Sequence, residues 1–217
     1  DEECLRHCVR NDKEIQTYVT AMAASGGILM LSDKMSLLSR NQIDMLSKLF
    51  PVNTDIAIPL DLMETNVPGV LDLGTRGRTR IVALINWTDV AKDFQFDINR
   101  GHLFEFWTQS YLGLCDRQFR ATIDPRGSML LFITDDAPAA VVGVDDCLCP
   151  SIEQEYRDGV LTASFVKPGE KAMVAAAREM QACEGCRARP VETAFGHLYE
   201  VVASCGARTF RIMLKPE

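Results

Sequence analysis

Apolar residues recur at Ile15, Val19, Met22 and Ala23 behind the polar pair Asn11-Asp12, a one-sided stripe that predicts a helix capped by one of that pair and stopped by Gly26 or Gly27. The next segment breaks this rhythm. Ile28-Leu29-Met30-Leu31 is an unbroken apolar run between a glycine pair and Ser32-Asp33, which predicts a strand buried on both faces, as in parallel sheets. Ser39 with Gln42 predicts a capping box, and Ile43, Leu46, Leu49 and Phe50 form the expected buried face of a second helix that Pro51 stops. The order is helix, strand, helix. It amounts to part of a parallel α/β layer whose apolar faces have no partners of matching type in the remaining sequence.

Residues 54–77 are irregular, punctuated by Pro59, Pro68, Gly69 and Gly74, and read as a connector onto a new domain. Beyond it the pattern changes to β. Segments 80–87, 94–98, 103–107, 119–123 and 128–133 alternate or run apolar between turn residues, which predicts a first antiparallel sandwich or barrel. A second set of strands is expected from Ala139 onward. Asp158-Gly159, Pro168-Gly169 and Ser204-Cys205-Gly206 are read as hairpin turns within it. The expected fold is therefore mainly β: two antiparallel β-sandwich-like modules (54–136 and 137–217) preceded by a helix-strand-helix element (1–53). A lone doubly covered strand suggests a chain cut from something larger.

Composition narrows the function classes. With 47% hydrophobic and 24% charged residues the chain is expected to be globular, and a net charge of -7 offers no basic stripe for nucleic acid. No apolar stretch approaches the roughly 18 residues of a membrane span. Eight cysteines invite a zinc site on Cys147, Cys149, Cys183 and Cys186, but only Cys183-Glu184-Gly185-Cys186 has knuckle spacing. Reduced thiols in a cytoplasmic protein, with no metal and no cofactor, are the preferred reading. The sequon Asn86-Trp87-Thr88 closes an apolar strand and is read as chance.

Candidate chemistry is sparse. Ser32 and Asp33 stand at the C-terminal end of the expected parallel strand, where barrel enzymes keep their sites, although a helix-capping role explains Asp33 as well. His7, His102 and His197 are dispersed and no nucleophile elbow precedes any of them. Gly74-Thr75-Arg76-Gly77 lacks the strand-to-helix setting of a phosphate loop. Trp87, Phe104, Phe106, Trp107 and Tyr111 could stack on a sugar, but alternate residues such as Phe104 and Phe106 share one strand face and are expected in a core, with Trp107 on the other face.

The tract from Ser25 to Leu38, the strand Val82-Ala83-Leu84-Ile85-Asn86-Trp87-Thr88-Asp89, and Phe104-Glu105-Phe106-Trp107 through Tyr111-Leu112-Gly113 resemble the C-terminal part of α-galactosidase-type glycoside hydrolases of the melibiase clan, nearest to family 36. The resemblance covers about residues 1 to 135 in order. It implies that residues 1–53 are the end of a (β/α)8 catalytic barrel and that antiparallel β domains follow. Such enzymes carry Asp-Pro-Asp-Cys-Leu or a variant at the rim of the galactose pocket, and Asp1-Glu2-Glu3-Cys4-Leu5 falls on it, with Glu2 for Pro and Glu3 for the second Asp. By that resemblance Glu3 and Cys4, with Asp33, are the substrate-binding candidates for an oligosaccharide. The family's catalytic Asp pair has no counterpart here, so no catalytic residue is assigned and the chain alone is expected to be inactive. The helix faces are expected to be exposed or covered by a second copy. A stand-alone, non-catalytic β module that binds carbohydrate, or one that is purely structural, is the alternative.

Overall fold

The computed structural model describes residues 11–27, 29–30, 34–167, 170–204 and 206–216. Helix α1 (Asp12–Ser25) begins where Asn11 accepts the Glu14 backbone N–H at 3.0 Å, and it ends at Gly26 in the left-handed conformation, φ 60°. Glycine is needed there twice over, because a Cβ would lie 2.4 Å from the Asp55 carbonyl. Helix α2 (Arg40–Ser47) has the full capping box: Gln42 N donates to Ser39 Oγ at 3.2 Å and Ser39 N to Gln42 Oε1 at 2.8 Å. A 3₁₀ turn (Met35–Leu37) precedes it.

The expected buried strand is not seen between the helices. Its described residues, Leu29 and Met30, join no ladder, and Met30 is 78% exposed. Every ladder among the described residues is antiparallel and none borders this stretch, so a strand here would leave its N–H and C=O groups unpaired. Ile28, Leu31, Ser32 and Asp33 lie outside the described residues.

Strands β1 (Ile58–Pro59), β2 (Val70–Arg76), β3 (Thr79–Ile85), β4 (Lys92–Glu105), β5 (Ser110–Ile123) and β6 (Ser128–Asp135) build one sheet in the order β1-β2-β3-β6-β4-β5. The segments read separately as 94–98 and 103–107 are one strand up to Glu105, 14 residues long, and β5 matches it. The two strands pair along their whole length, but only the second half of β4 also pairs with β6. The free half of this ribbon brings Phe94, Phe96 and Ile98 into one apolar cluster with Val70, Val82 and Leu84. One face of the sheet is thereby covered by its own hairpin. The tract 74–77, excluded above as a phosphate loop, is the end of β2, after a register shift, with Gly77 opening the turn into β3.

The remaining strands form a sandwich. One sheet is β12 (Cys186–Val191), β13 (His197–Ala203), β10 (Lys171–Ala176) and β7 (Ala139–Val144); the other is β11 (Met180–Glu184), β14 (Thr209–Leu214), β9 (Val160–Ser164) and β8 (Gln154–Arg157). Asp158 and Gly159, at φ 51° and 82°, make the expected β8–β9 hairpin. The hairpins expected at 168–169 and 204–206 do not form, because β9 and β10, like β13 and β14, belong to opposite sheets. Pro168, Gly169 and Cys205 themselves lie outside the described residues.

The second core explains why the helices stay folded. Ile15, Val19 and Ala23 of α1, Leu46 of α2 and Leu49 just after it share a cluster with Ile81, Ala83, Leu130 and Phe132 of the first sheet and with Val142, Val174 and Phe210 of the sandwich. This corrects the expectation that the helix faces lack partners: an antiparallel sheet receives α1. Asn53 ties the joint, its side-chain amide donating to Ala23 O and Asp55 O, each at 2.9 Å.

Candidate functional site

Glu3 and Cys4, like Asp33, lie outside the described residues, as does His7. The other residues singled out can be placed. Phe104 and Phe106 are buried core, as expected. Trp107 does not point to the opposite face: β4 ends at Glu105, so strand alternation no longer governs it. Its ring meets Phe106 edge-on at 5.2 Å and its indole N–H donates to Thr20 Oγ1 of α1 at 3.0 Å. Trp87 likewise donates to Pro68 O at 2.8 Å. Neither indole N–H is left for a sugar.

Asn86 is fully buried and organises the loop after β3. Its amide donates to the carbonyls of Val90, Ile123 and Asp124 at 2.7, 3.0 and 3.0 Å, and its oxygen accepts from Thr88 N and Oγ1. Such a side chain has no room for a glycan. The described residues hold no cluster of three or more His, Cys, Asp or Glu able to grip a metal ion. Burial pushes the Cys147 thiol up to about 11 and the Cys149 thiol up to about 12, which keeps both protonated.

The structure brings together a site that the sequence does not announce. A cleft of 680 Å³ opens between the first sheet and the sandwich, with Arg100, His102, Tyr111, Asp136, Ala176 and Phe195 among its walls. His102 on β4 and Tyr111 on β5 meet across the hairpin, Nδ1 to hydroxyl, at 2.7 Å. The other ring nitrogen faces Ala137 O at 3.3 Å. A carbonyl oxygen only accepts, so Nε2 carries the proton and Nδ1 accepts from Tyr111. Burial holds His102 below its ordinary pKa, more than the Ala137 carbonyl and Asp136 raise it. Burial, then the Asp136 charge, pushes Tyr111 up to about 12. Both side chains are thus neutral near pH 7 and offer hydrogen bonds, not a nucleophile.

Aromatic surface completes the cleft. Phe195, half exposed, stands edge-on to Tyr111 at 6.2 Å and 88°, its ring against the bare backbone of Gly113, where a Cβ would lie 2.8 Å away. Arg100 and Asp136 pair at 2.7 Å on the rim. An aromatic corner beside hydroxyl and charged hydrogen-bonding groups suits a ligand with one apolar face and a fringe of hydroxyls. Phe195 stands 84 residues from Tyr111 in the chain, and no local pattern joins them.

No family model matches the chain, and no curated protein matches it. Solved structures do. A protein assigned as an α-N-acetylgalactosaminidase, from Bacillus halodurans C-125, matches 59% of this chain and 32% of its own at 19% identity, with a TM-score of 0.51. The α-galactosidase I of Mortierella vinacea matches 59% of this chain and 37% of its own at 18% identity and TM-score 0.49. The isomalto-dextranase of Arthrobacter globiformis T6 matches 94% of this chain and 47% of its own at 12% identity and TM-score 0.49. The chain spans about a third of the length of the first two. The likeness is one of fold alone, and the resemblance to α-galactosidase-type enzymes of the melibiase clan is supported at that level. It does not single out family 36 within that clan.

Proposed function

We propose that this chain is the C-terminal segment of an α-galactosidase-like retaining glycoside hydrolase acting on terminal α-galactosides of oligosaccharides. In this reading residues 1–53 close the catalytic barrel and residues 54–136 and 137–217 brace it. In the intact enzyme one carboxylate attacks the anomeric carbon to form a glycosyl-enzyme, while another protonates the leaving oxygen and then activates water. Neither carboxylate is assigned to this chain. The reading also places the protein in the cytoplasm, with its substrate as its main partner.

The observation that carries it, beside the shared fold, is where apolar side chains meet solvent. Of 17 exposed large hydrophobic residues among those described, 12 fall between Met30 and Val67, including Met30 at 78%, Ile56 at 77% and Met63 at 95%. A concentrated apolar band of this kind marks a surface made to be covered. These residues run from the segment after α1, through Ile43 of α2, to the segment before β2; in this reading the barrel docks there, and a second copy of the chain is the other occupant. The chain alone is expected to leave an aryl α-galactoside uncleaved, to bind an apolar dye and to self-associate in light scattering. Hydrolysis by the chain alone, or a monomer that binds no dye, overturns the proposal.

The cleft supports a second reading, a carbohydrate-binding β module, because Tyr111 and Phe195 present aromatic surface beside unsubstituted hydrogen-bonding groups. Calorimetric titration with galacto-oligosaccharides distinguishes the two: binding abolished by Phe195→Ala, with the fold intact, favours the module.

A further inference from the structure

Glu170, immediately before β10, is 2% exposed. Its Oε2 accepts the backbone N–H groups of Val166 at 2.6 Å and Lys167 at 3.1 Å. Its Oε1 is buried with no partner, and the same holds for Oδ1 of Asp146, in the segment after β7. Lys167 joins the two carboxyl groups: its backbone N–H donates to Glu170 Oε2 and its Nζ stands 3.8 Å from Oδ2 of Asp146, whose side chain is 35% exposed although Oδ1 is buried. A buried acceptor without a donor on each of two carboxyl groups held by the same lysine is doubly costly, since each lacks a donor and like charges repel. A single proton removes both costs at once, because the protonated oxygen becomes a donor to the other.

We infer that Asp146 and Glu170 share one proton across a buried carboxyl-carboxylate contact, a proton-dependent latch between the segment after β7 and the segment before β10. The surroundings favour a proton over a metal ion. Lys167 Nζ already stands 3.8 Å from Asp146 Oδ2 and donates to the Asp146 carbonyl. Cys147, beside the pair, keeps its thiol proton. The Asp145 carboxylate is turned away, accepting the Lys171 N–H at 3.1 Å, while its carbonyl takes Lys48 Nζ. No third carboxylate therefore joins the pair among the described residues. Lys48 caps α2, and its own carbonyl accepts the Leu148 N–H at 2.9 Å, so the latch sits beside the joint of helix and sandwich. The inference is independent of the glycosidase reading.

Burial raises Glu170 to about 7, the Asp146 charge adding to it and the Lys167 and Val166 N–H groups opposing it. The proton belongs to the pair. The unfolded chain releases it in the ordinary carboxylate range, near about 4.3. Between those values the folded state binds one proton more, so the folding constant falls by up to about tenfold per pH unit. This stability is complete below the ordinary range and lost as pH rises through neutrality.

The test uses the whole chain. Its Tm is followed from pH 5 to 8.5 and the Glu170 carboxyl is titrated by carbon NMR. Glu170→Gln is the diagnostic variant, since its amide can donate to Asp146 Oδ1 at every pH: the expected result is a retained acid-side Tm with a flattened slope. Asp146→Asn, which supplies a permanent donor to an ionised Glu170, is expected to return the Glu170 midpoint toward the ordinary range. A parent Glu170 that titrates in that range, or a Gln variant with the parental slope, overturns the latch.

Discussion

The ring of Phe104 on β4 occupies the space a side chain would need at Gly143 on β7: a Cβ there would stand 2.3 Å from two of its carbons. Both residues are buried, and the contact joins the first sheet to the sandwich without an intervening layer. Gly143→Ala must push the ring or the strand aside. The expected loss is about 1–3 kcal/mol, the range for overpacking a close-packed core, read as a lowered urea midpoint. An unchanged midpoint would show that the joint is slack.

Glu105 holds the β4–β5 turn by accepting from four donors: the N–H groups of Trp107 at 3.1 Å, Leu130 at 3.2 Å and Thr108 at 2.6 Å, and the Thr108 hydroxyl at 2.6 Å. Glu105→Gln sets an NH2 group against donors and removes the charge. A loss of about 2–3 kcal/mol is expected from the strength of hydrogen bonds to ionised groups. Chemical denaturation measures it, and a loss below measurement error would refute the assigned role.

Asn86 is expected to stay free of glycan when the chain is made through a secretory route, because its amide is buried and saturated. Intact-mass spectrometry of the folded product decides this. Asn86→Ala, which strips the loop of its donors, is expected to cost about 3 kcal/mol, as for other broken buried networks.

His102 gives stability a dependence opposite to that of Glu170. Its folded pKa lies below the ordinary value, chiefly through burial, so the unfolded chain takes up the proton first as pH falls. The contribution is complete above the ordinary histidine value of about 6.5 and is lost as pH drops toward the folded value. His102→Gln is therefore expected to remove the fall in Tm that sets in below about 6.5, while the opposing Glu170 slope, between the ordinary carboxylate range and about 7, keeps its parental size. An acid limb unchanged by the substitution would sink this assignment.

The sequence by itself determined the pieces whose interactions close within a few residues: the Asn11 cap, the Gly26 stop, the Ser39-Gln42 box and the Asp158-Gly159 hairpin. Alternation likewise marked Phe94, Phe96 and Ile98 as one strand face and Phe104 as core. β2, β11 and β12 were not legible, since their buried positions are few and glycine, proline and cysteine interrupt them. Tertiary structure decided how strands choose partners. Turn residues at 168–169 and 204–206 signal a reversal equally well whether the chain re-enters the same sheet or the facing one. It alone brought Tyr111 to Phe195 and Asp146 to Glu170, because a long-range contact depends on where whole sheets pack, a sum over many buried side chains that no short segment contains.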